Sequence, residues 1–170
     1  MLRPFVTACF MVLPLAACDG ANQGTSIAIN STGDDGNMIA GVDGKTGEVS
    51  FNAPGVSGKL KLPKIQLNAG SFDMNGVHLY PGSTISSMNI NAHDKPGGDD
   101  DHDGSVRVAF ESPAAPAAVR DWFQKKLSGA GYKIRVDGNG LAGTSEEGKP
   151  FRIELTPAGA NRSSGTITTS

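Results

Sequence analysis

A mainly β chain with one helix is the fold class this sequence predicts, on three observations. Between residues 26 and 92, short runs alternate polar and apolar side chains with period two, the signature of strands with one buried face. Gly, Asn and Pro break those runs, and 23 Gly set against 1 Trp, 2 Tyr and 7 Phe favour many short strands and turns over long helices. Only one stretch, opening at Pro116, repeats apolar residues at helical spacing. The expected architecture is a Gly-rich β-stack or short β-solenoid, followed by a two-layer α+β unit with one helix on an antiparallel sheet.

Glu48–Phe51, Lys59–Leu62, Lys64–Leu67, Val77–Tyr80 and Ser87–Ile90 read as strands. Asp43-Gly44, Asn68-Ala69-Gly70, Asn75-Gly76 and Pro81-Gly82 read as turns, because these residues tolerate positive φ or preset it. Strands this short stack in coils or meander into a sheet. Residues 93–104 (HDKPGGDDDHDG) offer no large apolar side chain and read as an acidic linker. Val106, Val108 and Phe110 then alternate as a strand. Pro116 suits the first turn of a helix, where its missing N–H does no harm. Val119, Trp122, Phe123 and Leu127 share one face of that helix and read as core, with a cap at Gly129 or Gly131. Strands at Tyr132–Val136, Leu141–Ser145, Phe151–Thr156 and Gly165–Thr169 complete the unit, with hairpin turns at Asp137-Gly138 and Glu147-Gly148.

The first residues have a different grammar. One positive charge, Arg3, precedes an apolar run from Pro4 to Leu15. That run is shorter than the roughly 20 residues a membrane-crossing helix needs. A basic start, an apolar middle and small residues before a cut describe a secretory signal. Leu15-Ala16-Ala17-Cys18 resembles the lipobox of bacterial lipoproteins. The resemblance implies cleavage before Cys18 and acylation of that residue on sulfur and nitrogen. It also implies a cell-envelope location with the membrane as a partner. Asp19 leans toward retention at the inner membrane, with inner versus outer left open. The expected organisation is a signal peptide (1–17), a polar tether (18–25), a β-stack domain (26–92), the acidic linker (93–104) and an α+β domain (105–170). Residues about 40–92 also resemble adhesin-type β-stack domains, a family without an assigned biochemical role. The order strand, Ser112-Pro113, helix, Gly131-Tyr132, strand looks like small α+β modules of envelope lipoproteins.

Cleavage before Cys18 removes Cys9 and leaves no thiol for catalysis or a disulfide. The remaining chain carries 14 basic and 17 acidic residues, a net −3, to which residues 94–104 contribute −4 and 105–170 contribute +3. No basic stripe interleaved with aromatics appears, so nucleic acid is not an expected partner. Gly138-Asn139-Gly140-Leu141-Ala142-Gly143 spells a dinucleotide-binding pattern. That pattern requires a helix opening on its last Gly, which the run from Thr144 to Gly148 and Pro150 cannot form, and a hairpin turn is the reading. Asp99, Asp101, Asp103 and Gly104 match the first half of a calcium loop, whose twelfth position here is Phe110 instead of Glu. His93 and His102, with Asp94 and Asp103, supply nitrogen and oxygen donors suited to Zn²⁺ or Cu²⁺. His78 reads as a solvent-facing strand residue.

No G-x-S-x-G elbow is present, and no two carboxylates are singled out as a glycosidase pair. The expected role is therefore non-enzymatic, with no cofactor: binding or scaffolding at the envelope with an envelope protein as partner. Two other roles stay open. One is a divalent-metal-binding or sensing lipoprotein using the acidic loop. The other is a hydrolase whose site assembles from distant residues. Mutual repulsion among five aspartates within 94–103 gives weak Ca²⁺ binding on charge alone. A dedicated site would stabilise the fold by about 2.7 kcal/mol at a hundredfold excess over its dissociation constant. We expect about 1 mM Ca²⁺ to move the melting temperature little, and Asp101→Asn with Asp103→Asn to leave that shift unchanged. Calorimetric melts of both proteins check this.

Overall fold

A computed structural model describes residues 24–33, 36–93 and 103–170. Among these residues the chain is mainly β with a single helix. The strands are β1 (Ser26–Gly33), β2 (Gly36–Val42), β3 (Glu48–Ala53), β4 (Val56–Lys61), β5 (Leu67–Asn68), β6 (Thr84–His93), β7 (Asp103–Ser112), β8 (Lys133–Asp137), β9 (Gly140–Thr144), β10 (Pro150–Pro157) and β11 (Ser163–Thr169). Helix α1 spans Pro116–Gly129, between β7 and β8. All strands join one sheet in the order β4-β3-β2-β1-β6-β7-β11-β10-β9-β8, with β5 paired to β6 off this path.

Within the expected class, the first half is arranged differently from a solenoid. β1 to β4 form an antiparallel meander instead of stacked coils. The reason lies in the connections: Gly33 pairs with Gly36 and Ala53 with Val56, and hairpins that tight force neighbours to run antiparallel. The parallel pair is β1 with β6, in register from Ser26↔Ser87 to Thr32↔His93.

Residues 93–104 connect two paired arms. β6 and β7 pair from Thr84↔Glu111 to His93↔Asp103, with an irregularity between Ile85 and Ser87. The sheet therefore continues across the expected domain boundary. The core continues too, since Val77, Leu79 and Ile85 cluster with Val108, Phe110, Phe123, Leu141, Ile153 and Ile167.

Two expected strands are corrected. Lys64, Ile65 and Gln66 lie outside any strand, and only Leu67–Asn68 pairs, with β6. Thr25 holds that stretch: its N–H donates to the Ile65 carbonyl (2.7 Å), and its Oγ1 accepts from the Leu67 N–H (2.9 Å). Val77–Tyr80 keeps its alternation without a ladder, with Val77 and Leu79 buried and His78 exposed. Met74 and Val77 exchange both backbone hydrogen bonds (3.0 and 3.1 Å) around Asn75 and Gly76, whose φ values are 52° and 78°. That turn limits the pairing to one bridge, and the segment becomes a strap over the core, with Leu79 N–H reaching Ala69 O at 3.3 Å.

The helix begins with Ala115 as its N-cap and Pro116 in its first turn. Val119, Phe123 and Leu127 are its buried residues, spaced four apart on one face. Its C-terminus closes through Ala130 N–H to Lys126 and Leu127 carbonyls, both at 3.1 Å, and Gly131 takes φ 81°. The helix lies on β8, β9, β10 and β11. Phe110 stacks edge-on with Phe123 at 6.1 Å, and Tyr132 with Phe151 at 5.4 Å. Trp122 is half-buried, meeting Tyr80 edge-on at 5.7 Å, with Lys126 Nζ 5.0 Å from its ring centre.

Removing the ring of fully buried Phe123 deletes contacts on both layers, and Phe123→Ala should cost about 3–5 kcal/mol. Phe51→Ala, at a residue 37% exposed, should cost about 1 kcal/mol or less. Denaturant titration distinguishes them. Because β6 and β7 share one ladder and one core, cleavage within residues 94–102 should leave two pieces that co-elute under native conditions and separate only in denaturant.

Candidate functional site

The pairing register assigns every residue of β1 to β4 to one of two faces, because paired residues point the same way. Val108 and Phe110 face the core, and Ile85, Met88 and Ile90 pair with Phe110, Val108 and Val106 on that face. Following the ladder outward, Met88 and Ile90 pair with Ile27 and Ile29. These pair with Val42 and Ala40, and Met38 pairs with Ser31. Val42 and Ala40 continue to Val49 and Phe51. Val49, Phe51 and Ala53 continue to Leu60, Gly58 and Val56. The core-side face thus runs unbroken to the edge of the sheet, and over β1 to β4 it carries no charged residue.

The reverse face is polar over the same strands, apart from Ala28 and Ile39. Asn30 Nδ2 donates to Asn91 Oδ1 at 3.1 Å, and Asn91 Nδ2 to Ser105 Oγ at 3.4 Å, an amide ladder across β1, β6 and β7. Glu48 meets Lys59 at 3.0 Å, with Lys61 beside Glu48 in register. In the turn before β3, Asp43 Oδ1 accepts from the Lys45 and Thr46 N–H groups (2.7 and 3.1 Å). Those two bonds lower the Asp43 pKa below the usual carboxylate value.

What distinguishes the two halves of the apolar face is its cover. Over β6 to β11 it lies under α1 and the strap of residues 67–80, except on edge strand β8, where Val136 shares the face and is 52% exposed. Over β1 to β4, among the described residues, it meets neither. Met38, Phe51, Val56 and Leu60 stand 37–56% exposed, while Phe110 and Ile167 on the same face are 1% exposed. Phe51 lies across Gly58 as Phe110 lies across Gly165, each ring occupying the space a Cβ would need. The second of these pairs is covered by Phe123. The first faces outward.

A cleft of about 430 Å³ opens between the strap, the paired ends of β6 and β7, and the turn between β9 and β10. Its floor includes Met74, Ile90, Val106 and Phe151, and Asp73, Glu147 and Lys149 line it as well. Tyr132 sits in its wall, and burial, then the charges of Asp73 and Glu147, raise its hydroxyl pKa and keep it neutral.

The sequence-predicted site residues are only partly within reach. Cys18, Asp94, Asp99, Asp101 and His102 lie outside the described residues. His93 ends β6, exposed, and Asp103 begins β7 as its register partner. Among the described residues no three His, Cys, Asp or Glu side chains gather where they could hold a metal ion. His78 is exposed, with Nδ1 3.0 Å from the Phe72 carbonyl and 3.5 Å from Asp73 Oδ2, and it belongs to the strap instead of a strand. Gly138–Gly143 forms the turn into β9 and its strand, Asp137 pairing with Gly140. The uncovered face was missed as a site because alternation predicts a buried side without saying what buries it. One helix among so many strands was the available signal. Comparison of the chain with models of protein families, with curated proteins and with solved structures finds no match.

Proposed function

We propose that this chain is a lipid-anchored protein of the bacterial cell envelope that works by binding or scaffolding, not by catalysis. Cys18 is its attachment point and the uncovered face of β1 to β4 its contact surface. The observation that supports this best is the contrast along one sheet face, covered by helix and strap over most of β6 to β11, uncovered and uncharged over β1 to β4. Soluble single-chain proteins keep contiguous apolar patches small, and a larger one marks a place of contact. The Leu15-Ala16-Ala17-Cys18 run supports the membrane attachment. Several acyl chains on one residue hold durably, because each buried CH₂ contributes about 0.8 kcal/mol and a single chain is marginal.

Metabolic labelling with a clickable fatty acid tests the attachment. The wild-type protein should take up label and partition into detergent, and Cys18→Ser should do neither. Label retained in Cys18→Ser would remove the lipoprotein reading.

A further inference from the structure

We infer that the uncovered face of β1 to β4 is the contact between two copies of this chain, packed sheet against sheet around a two-fold axis. The inference rests on the proposed lipoprotein processing in one respect, that residues 1–17 are removed and do not cover the face themselves.

The face can be covered in few ways. Within residues 18–170, those outside the described ones, 18–23, 34–35 and 94–102, carry no large apolar side chain. They cannot supply a second layer. A sheet face of alternating aliphatic and aromatic residues is what another such face packs against, about 10 Å away. This chain carries such a face, and a second copy presents its equal.

Charge placement points the same way. Lys59, Lys61 and Glu48 stand on the reverse face, so facing two copies together desolvates no ion. A face laid on an anionic bilayer has its lysines beside the apolar residues and aromatic anchors at the rim. Here the strand lysines point away, and β1 to β4 contain neither Trp nor Tyr. Pairing along the outer strand is the other route to self-association, and Lys59 and Lys61 on β4 oppose it, as edge lysines do.

The size fits a modest pair. Four strands, spaced about 4.8 Å and rising about 3.3 Å per residue, give a face of roughly 20 Å by 20 Å. Two such faces together remove on the order of 800 Å² from water, in the range of weak, transient pairs. Association of that strength is weak in dilute solution. It becomes effective when both copies are held on one membrane at high local concentration.

The processed protein, with Cys18 acylated, has no other thiol, so single cysteines report contacts in intact membranes. Val49→Cys stands near the middle of the apolar face, and Ser50→Cys is the next residue, on the reverse face. Under mild oxidation Val49→Cys should give at least about tenfold more disulfide-linked dimer than Ser50→Cys, since a two-fold axis through the middle of the face brings residue 49 against its own copy. A water-soluble maleimide should label Ser50→Cys quickly and Val49→Cys slowly. Thermal melts confirm that both variants fold. Val49→Cys that labels freely without cross-linking would overturn the inference, because the face would then be bare. Val49→Cys that is protected without cross-linking would also overturn it, in favour of lipid or another cover. Intact mass of the same sample shows whether residues 1–17 are gone and Cys18 carries lipid, so failure of the anchor is read separately from failure of the contact.

Discussion

Phe110 lies across Gly165 and beneath Phe123, and the rest of the molecule depends on that three-residue layering. A sheet cannot hold an apolar face in water without a second layer, and the largest cover here is one fourteen-residue helix. Four residues per step bring Val119, Phe123 and Leu127 over β8 to β11, with Phe123 reaching Phe110 of β7. The strap of residues 67–80 extends the cover to β6 and β7 by burying Val77 and Leu79. There the lid ends, while the sheet continues through four more strands with the same alternation. The apolar wing follows from the ratio of lid to sheet, not from any peculiarity of its own sequence.

The wing is nonetheless held in place without cover. Its link to the core is the parallel pairing of β1 with β6, and Thr25 anchors the start of that pairing. This residue is 1% exposed, and its hydroxyl donates to the Ile85 carbonyl at 2.6 Å while accepting from Leu67 N–H. One side chain thereby joins the entry to β1, the strap and β6. On the reverse face the Asn30–Asn91–Ser105 ladder adds side-chain hydrogen bonds across β1, β6 and β7. Polar groups thus fix the position of the wing, and its apolar groups are left for contact.

Much of this was legible in the sequence, for physical reasons that separate what was read from what was not. The period-two runs at Glu48–Phe51, Ser87–Ile90 and Val106–Phe110 are strands, and the 3.6-residue period after Pro116 is the helix, because local pattern decides these elements. Val77–Tyr80 showed the same alternation yet is a strap, because alternation records only which residues are buried. A ladder also needs a partner strand, and the Asn75-Gly76 turn supplies only a single bridge. The boundary expected at residues 93–104 rested on composition. A hairpin connection has the same composition as a linker, and the pairing of His93 with Asp103 is a non-local fact that no window of sequence contains. The wing as a candidate site was hidden for a related reason. Val49 and Leu60 look like core residues in sequence, and only the topology shows that no second layer reaches them.

That non-locality bears on how the wing works. A partner that docks on β1 to β4 meets strands already paired and a face already sorted by the pleat, so little backbone ordering opposes the contact. The aromatic at Phe51, resting on Gly58, is set before any partner arrives, as Phe110 is set on Gly165 before Phe123 closes over it. The helix can therefore be regarded as an internal partner for one half of the face, and the covalent chain ensures that it is always present. The other half, on the proposed pairing, depends on concentration. On the proposed reading, such a surface responds to how many copies share a membrane, a property of the proposed anchor at Cys18 and not of the fold. On that reading a weak face and a strong anchor divide the work between them.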